Sequence, residues 1–145
     1  MFQKALVAVD GSSSSFKAVN IASQMMGAGA LNETTLLCVM HMPVPTFLGD
    51  GTAALELPGE YFRLMRDSAQ QIIDQASEQM ASNHKISSQI ELGNPAEVIL
   101  DLAQHGGYDL IIIGSRGLNQ IQRLFMGSVS SKVVSLAHCP VLVVK

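Results

Sequence analysis

Gly114-Ser115-Arg116-Gly117, followed after nine residues by Gly127-Ser128, carries residue types suited to hold an anion through the backbone. Glycine lets a phosphate approach the main chain and tolerates positive φ, and a helix opening at Ser128 would add unpaired N–H groups and a positive dipole end. A plainer reading fits the same residues: Gly114 and Gly117 turn the chain and Ser128 caps a helix. Asp10 is the second candidate. A lone carboxylate at a strand end can ligate Mg²⁺, which favours one or two carboxylates plus phosphate oxygens. The other use for Asp10, capping the next helix, is served as well by Ser12 or Ser13.

Two better-known phosphate loops are absent. A Walker loop needs a second glycine followed by Lys-Ser/Thr, and a dinucleotide fold needs GxGxxG, whereas Asp10-Gly11-Ser12-Ser13-Ser14-Ser15 follows the first apolar run. With no lysine between Gly114 and Gly117, amides would carry most of the phosphate affinity; Arg116, Arg123 and Lys132 would assist unless simply solvated. Gly114-Ser115-Arg116-Gly117 is one residue short of a GxSxG nucleophile elbow, and His41, His84, His105 and His138 lack metal-ligand spacing. A phospho-acceptor receiver would need an aspartate after the third strand, where Leu92-Gly93-Asn94 stands. Cys38 and Cys139 lie outside any CxxC and read as small buried hydrophobes of a reducing compartment.

The scaffold that must position these residues is written in the apolar pattern. Strands are expected at Ala5–Val9, Thr35–Met40, Ile86–Leu92, Leu110–Ile113 and Val141–Val144, the third alternating like a half-covered edge. Helices are expected from Ser13 to about Met26 and from about Glu60 to Met80. A third should open at Pro95 behind an Asn94 cap with Val98, Ile99, Leu102 and Ala103 inward, and a fourth near Ser128 with Val129, Val133, Leu136 and Ala137 inward. Strand and helix alternation gives one doubly wound α/β domain over residues 1–145, a five-stranded parallel sheet of order 3-2-1-4-5 with helices on both faces. The loops after strands 1 and 4 then face one crevice. Strand 5 becomes an apolar edge, and a homodimer through strand 5 is the expected way to cover it, against a monomer shielded by the fourth helix.

Composition narrows the function. With 48% hydrophobic and 14% charged residues, the chain is neither disordered nor a disulfide-stapled miniature. Nine Lys+Arg against twelve Asp+Glu, with no basic cluster, argue against a nucleic-acid partner. No apolar run suits a signal peptide or a membrane span, so a cytoplasmic protein without membrane insertion is expected.

The spacing Gly-x2-Gly-x9-Gly-Ser at Gly114, Gly117, Gly127 and Ser128 resembles the signature of the ATP-binding branch of the universal stress protein family. Val9-Asp10-Gly11-Ser12, the block from Asp109 to Gly117, and the closing run from His138 to Val144 extend the likeness over nearly the whole chain. The resemblance implies a Rossmann-like, adenine nucleotide alpha hydrolase-like domain that binds ATP, ADP or AMP with Mg²⁺. Backbone around Gly114, Gly117, Gly127, Ser128 and Val129 would hold ribose and phosphates, and the Ser128 hydroxyl would add a contact. Asp10 would lie near the phosphates or their metal, and the Val39 backbone would read the adenine edge. Read from its length rather than from the resemblance, the Pro43–Gly59 stretch is either a functional cover or disordered, a lid over the adenine being the expectation. Met40, His41 and Met42 either line the same pocket or simply pack. Such a protein is a regulatory, stress-response module with an unidentified protein partner, no catalytic residue and at most slow ATP hydrolysis. The competing class is an enzyme transferring or cleaving an adenylyl or phosphoryl group, which needs a general base or activated nucleophile beyond Asp10.

Overall fold

The computed structural model describes residues 1–41, 59–81, 83–117 and 126–145. Their order is β1 (Phe2–Ala8), α1 (Ser13–Gly27), β2 (Leu31–His41), α2 (Gly59–Glu78), β3 (Lys85–Gly93), α3 (Pro95–His105), β4 (Leu110–Gly114), α4 (Ser128–Leu136) and β5 (Val141–Val144). All neighbouring strands are parallel and the sheet runs β3-β2-β1-β4-β5, as the alternation of elements requires.

Central position explains the sequence of β1 and β4. Leu6, Val7, Ile111 and Ile112 are completely buried because helices cover both faces there. On one face α1 and α2 place Ala18, Ala22, Ala69 and Ile73 against Ala5, Val7, Leu36 and Ile112. On the other, α3 and α4 pack Ile99, Ala103 and Val133 against Leu6, Leu37, Ile111 and Ile113. Small residues on α1 and α2 let helix and sheet approach closely. At the edge, β3 is half covered and polar, and it is pinned to β2 by the Thr35–Ser87 hydroxyl pair at 2.9 Å and by Lys85 Nζ on Glu33 Oε1 at 3.0 Å.

Four details depart from the sequence reading. Leu136 is 62% exposed rather than inward, because the buried stripe of α4 centres on Ser130 and Val133. The cap of α4 is Gly127, and Ser128 is already its first helical residue. Val98 and Leu102 are half-buried, with Ala96 taking the inner position beside Ile99 and Ala103. Cys38 is buried, but Cys139 is half-buried; both are free thiols, on opposite faces of the sheet. Gly59 starts α2, while the rest of the 43–59 stretch, Met42 and Arg123 lie outside the described residues.

Candidate functional site

The turn after β1 is built by its own side chains. Gly11 adopts φ +87°, a conformation that strains other residues, and a β-carbon there would meet Ile72 Cδ1 at 3.1 Å. Asp10 Oδ1 accepts from the Ser12 amide at 2.9 Å, and Ser12 Oγ accepts from the Ser15 amide at 3.2 Å, capping α1. One carboxylate oxygen of Asp10 thus organises the turn. The other, Oδ2, points at Gly117, where a β-carbon would stand 3.0 Å away.

The chain leaving β4 is tied to this turn and to α4. Arg116 O accepts from Ser14 Oγ at 2.6 Å and from Ser12 Oγ at 3.2 Å, stapling the β4 loop to the start of α1. Ser115 O accepts from the Gly127 amide at 2.7 Å and from the buried Ser130 hydroxyl at 3.1 Å. Gly114 owes its identity to packing: a β-carbon would lie 2.7 Å from Ser14 C and 2.8 Å from Ser15 N, both backbone atoms.

Between these loops lies a cleft of about 720 Å³ at the carboxyl ends of the strands. Its lining includes Asp10, Val39, Gly114, Gly117, Gly127, Ser128 and Val129, the residues expected to hold the nucleotide and its metal. Their clustering follows from β1 and β4 being neighbours, the point where strand order reverses. Its apolar lining comes from Met65 and Ile72 of α2 and Cys38 of β2 on one face of the sheet and from Ile99 of α3 on the other.

Backbone groups supply much of the cleft's hydrogen-bonding capacity. α1 and α3 are capped by the side chains of Ser12 and Asn94, whereas the Gly127 cap of α4 offers none. The first amides of a helix have no intrahelical carbonyl. The Gly127 amide is engaged by Ser115 O, which leaves the amides of Ser128, Val129 and Ser130, three residues that line the cleft, without an intrahelical carbonyl. On β2, Leu37 O accepts from the Val9 amide, so by the period of two Val39 also directs its N–H and C=O toward β1. β1 has ended at that level, leaving the Val39 peptide edge facing the cleft.

Burial raises the Cys38 thiol to about 11, and the nearby Asp10 charge pushes the same way. It stays a protonated, inert wall at neutral pH. Among the described residues no group of three or more His, Cys, Asp or Glu could hold a metal. Asp10, whose Oδ2 accepts no hydrogen bond among the described residues, suits a cation that takes its remaining ligands from phosphate and water. Arg116 lines the cleft, whereas Lys132 is exposed and pairs with Glu97 at 3.4 Å. Of the histidines, His41 alone lines it; His84, His105 and His138 do not. Sequence reasoning missed Ser14, Ser115 and Ser130, whose hydroxyls and carbonyls hold the two loops in place. Ser14 was visible only as one of a serine run.

The universal stress protein family pattern matches residues 1–145. Universal stress protein YxiE of Bacillus subtilis is 32% identical, with each chain covered in full. Among solved structures, hypothetical protein MJ0577 superposes with a TM-score of 0.83 at 26% identity, over 100% of this chain and 96% of that one. A universal stress protein crystallised in complex with cAMP does so with a TM-score of 0.62 at 25% identity, over 99% and 97%. With full-length matches in both sequence and fold, this chain belongs to the universal stress protein family.

Proposed function

We propose that the cleft binds an adenine nucleotide, ATP with Mg²⁺ foremost, and that the protein acts as a regulatory, stress-response module rather than as an enzyme. The observation that carries this reading is the convergence of the side-chain-free α4 N-terminus, the disengaged oxygen of Asp10 and the Val39 peptide edge on one cleft with an apolar wall. The Ser128 and Val129 amides would bind phosphate oxygens with help from the helix dipole. Gly117 would keep the approach to Asp10 open, and Gly127 would let phosphate come close to the backbone. The Val39 N–H and C=O would pair with the adenine edge, and Ile72 and Met65 would pack against the base. Asp10 would hold Mg²⁺, which when bound neutralises phosphate charge. The relative crystallised with cAMP supports an adenine nucleotide as the ligand class.

Hydrolysis needs a positioned base as well as a binding site. Ser12 holds one oxygen of Asp10, and His41 is exposed at the end of β2, so we read the site as one for binding with at most slow turnover. Heat-denaturing the purified protein and identifying the released nucleotide by mass tests the ligand directly. Calorimetric titration with ATP is expected to show binding that Gly127→Val abolishes in a folded protein. Undiminished binding by that variant, or ATP turnover well above spontaneous loss, would overturn the reading.

We also propose a homodimer through β5. It is an edge strand of four apolar residues whose Leu142 is 37% exposed, and a second copy related by a two-fold axis would cover it.

A further inference from the structure

On the outer side of α3 and α4, a groove of about 730 Å³ lies apart from the cleft. Leu102 and Leu136 are among its apolar lining, with Glu91, Glu97, Asp101 and Lys132 around them. Leu136, the one leucine of α4, is well exposed, and an apolar surface rimmed by charge is the usual mark of a docking site. Lys132 Nζ is committed to Glu97 at 3.4 Å. Glu91 on β3 and Asp101 on α3 therefore leave the rim with excess negative charge; the group facing Asp101 is His105, which counts only when protonated.

We propose that this groove docks a basic amphipathic helix of a partner protein. Leucine-like side chains would cover Leu102 and Leu136, and Lys or Arg on its flanks would meet Glu91 and Asp101. An uncharged or acidic apolar helix would bury those carboxylates unpaired, at a cost that rejects it. A second copy of this chain matches poorly, since its acidic residues outnumber its basic ones, twelve to nine. The groove shares α3 and α4 with the cleft, yet the proposal does not depend on what the cleft binds.

The probe is a short synthetic Leu/Lys peptide of amphipathic helical spacing, titrated into the full chain and followed by amide chemical shifts and fluorescence anisotropy. Shifts are expected on α3, α4 and the end of β3. Leu136→Gln and Asp101→Lys should each weaken binding about tenfold, the loss of one central contact. Asp74→Lys, an equal charge reversal on α2 across the sheet, should change it less than about twofold. Equal loss in Asp74→Lys would mean that net charge alone attracts the peptide. Unchanged affinity in Leu136→Gln would remove the apolar contact, and a smaller sedimenting mass of Leu136→Gln alone would show a second copy in the groove. Each of those results overturns the proposal.

Discussion

Two glycines of one signature serve different purposes, and alanine at each separates them. At Gly114 the new methyl would stand 2.5 Å from Ser14 Oγ, 2.7 Å from Ser14 C and 2.8 Å from Ser15 N. The hydroxyl can rotate, but the backbone of α1 cannot yield without shifting the whole first turn. Such overpacking costs about 1–3 kcal/mol. With a urea dependence of about 1–3 kcal/mol/M for a protein of this size, the unfolding midpoint should fall by about 1 M. At Gly117, among the described residues, the methyl meets only Asp10 Oδ2, at 3.0 Å, and a carboxylate can turn aside. Gly117→Ala should therefore keep its stability within about 0.5 kcal/mol, while its ATP affinity falls because Asp10 is screened from the cleft. Urea melts followed by circular dichroism, with nucleotide titrations on the same preparations, read both quantities. A Gly114→Ala protein as stable as the parent, or a Gly117→Ala protein destabilised as much as Gly114→Ala, would refute this division of labour.

Asp10→Asn should abolish the gain in ATP affinity that Mg²⁺ brings, while the amide oxygen still caps Ser12; titrations with and without chelator check this. The raised Cys38 thiol favours its protonated form in the folded chain, so its stabilising share is full below 9 and is lost as pH rises toward 11. Cys38→Ala should accordingly flatten the fall of the urea midpoint across that interval, and an unaltered slope would contradict the burial argument. For the β5 interface, sedimentation at micromolar concentration should give a dimer that Leu142→Asp converts to a monomer. Leu142 is the better position for this test than Val144, which is packed against the core.

Sheet order and cleft position were legible because they follow from element alternation and from which runs are continuously apolar. The Asn94-Pro95 helix start was equally plain, since cap and proline act within one turn. What escaped was set by contacts between distant residues. The reason for Gly114 lies in the backbone of Ser14 and Ser15, some hundred positions away, which no local spacing encodes. The inward stripe of α4 was misplaced because Ser130 is buried by its bonds to Ser115 O and Gly127 O, where a hydropathy pattern expects leucine. Leu136 falls on the flank of that stripe, and the helix stops there as Ala137 turns extended at ψ 141°.

The unlike edges of the sheet govern how far self-association could run. Two chains joined through β5 would use up both apolar edges and leave β3 at each end of the combined sheet. β3 presents Lys85, Ser87, Ser88 and Gln89 exposed along its length, a border of charge and hydroxyl that discourages another strand from adding. Growth would stop at the pair: the same fold that offers an apolar border on one side withholds it on the other, so such an assembly would close instead of propagating into a fibre.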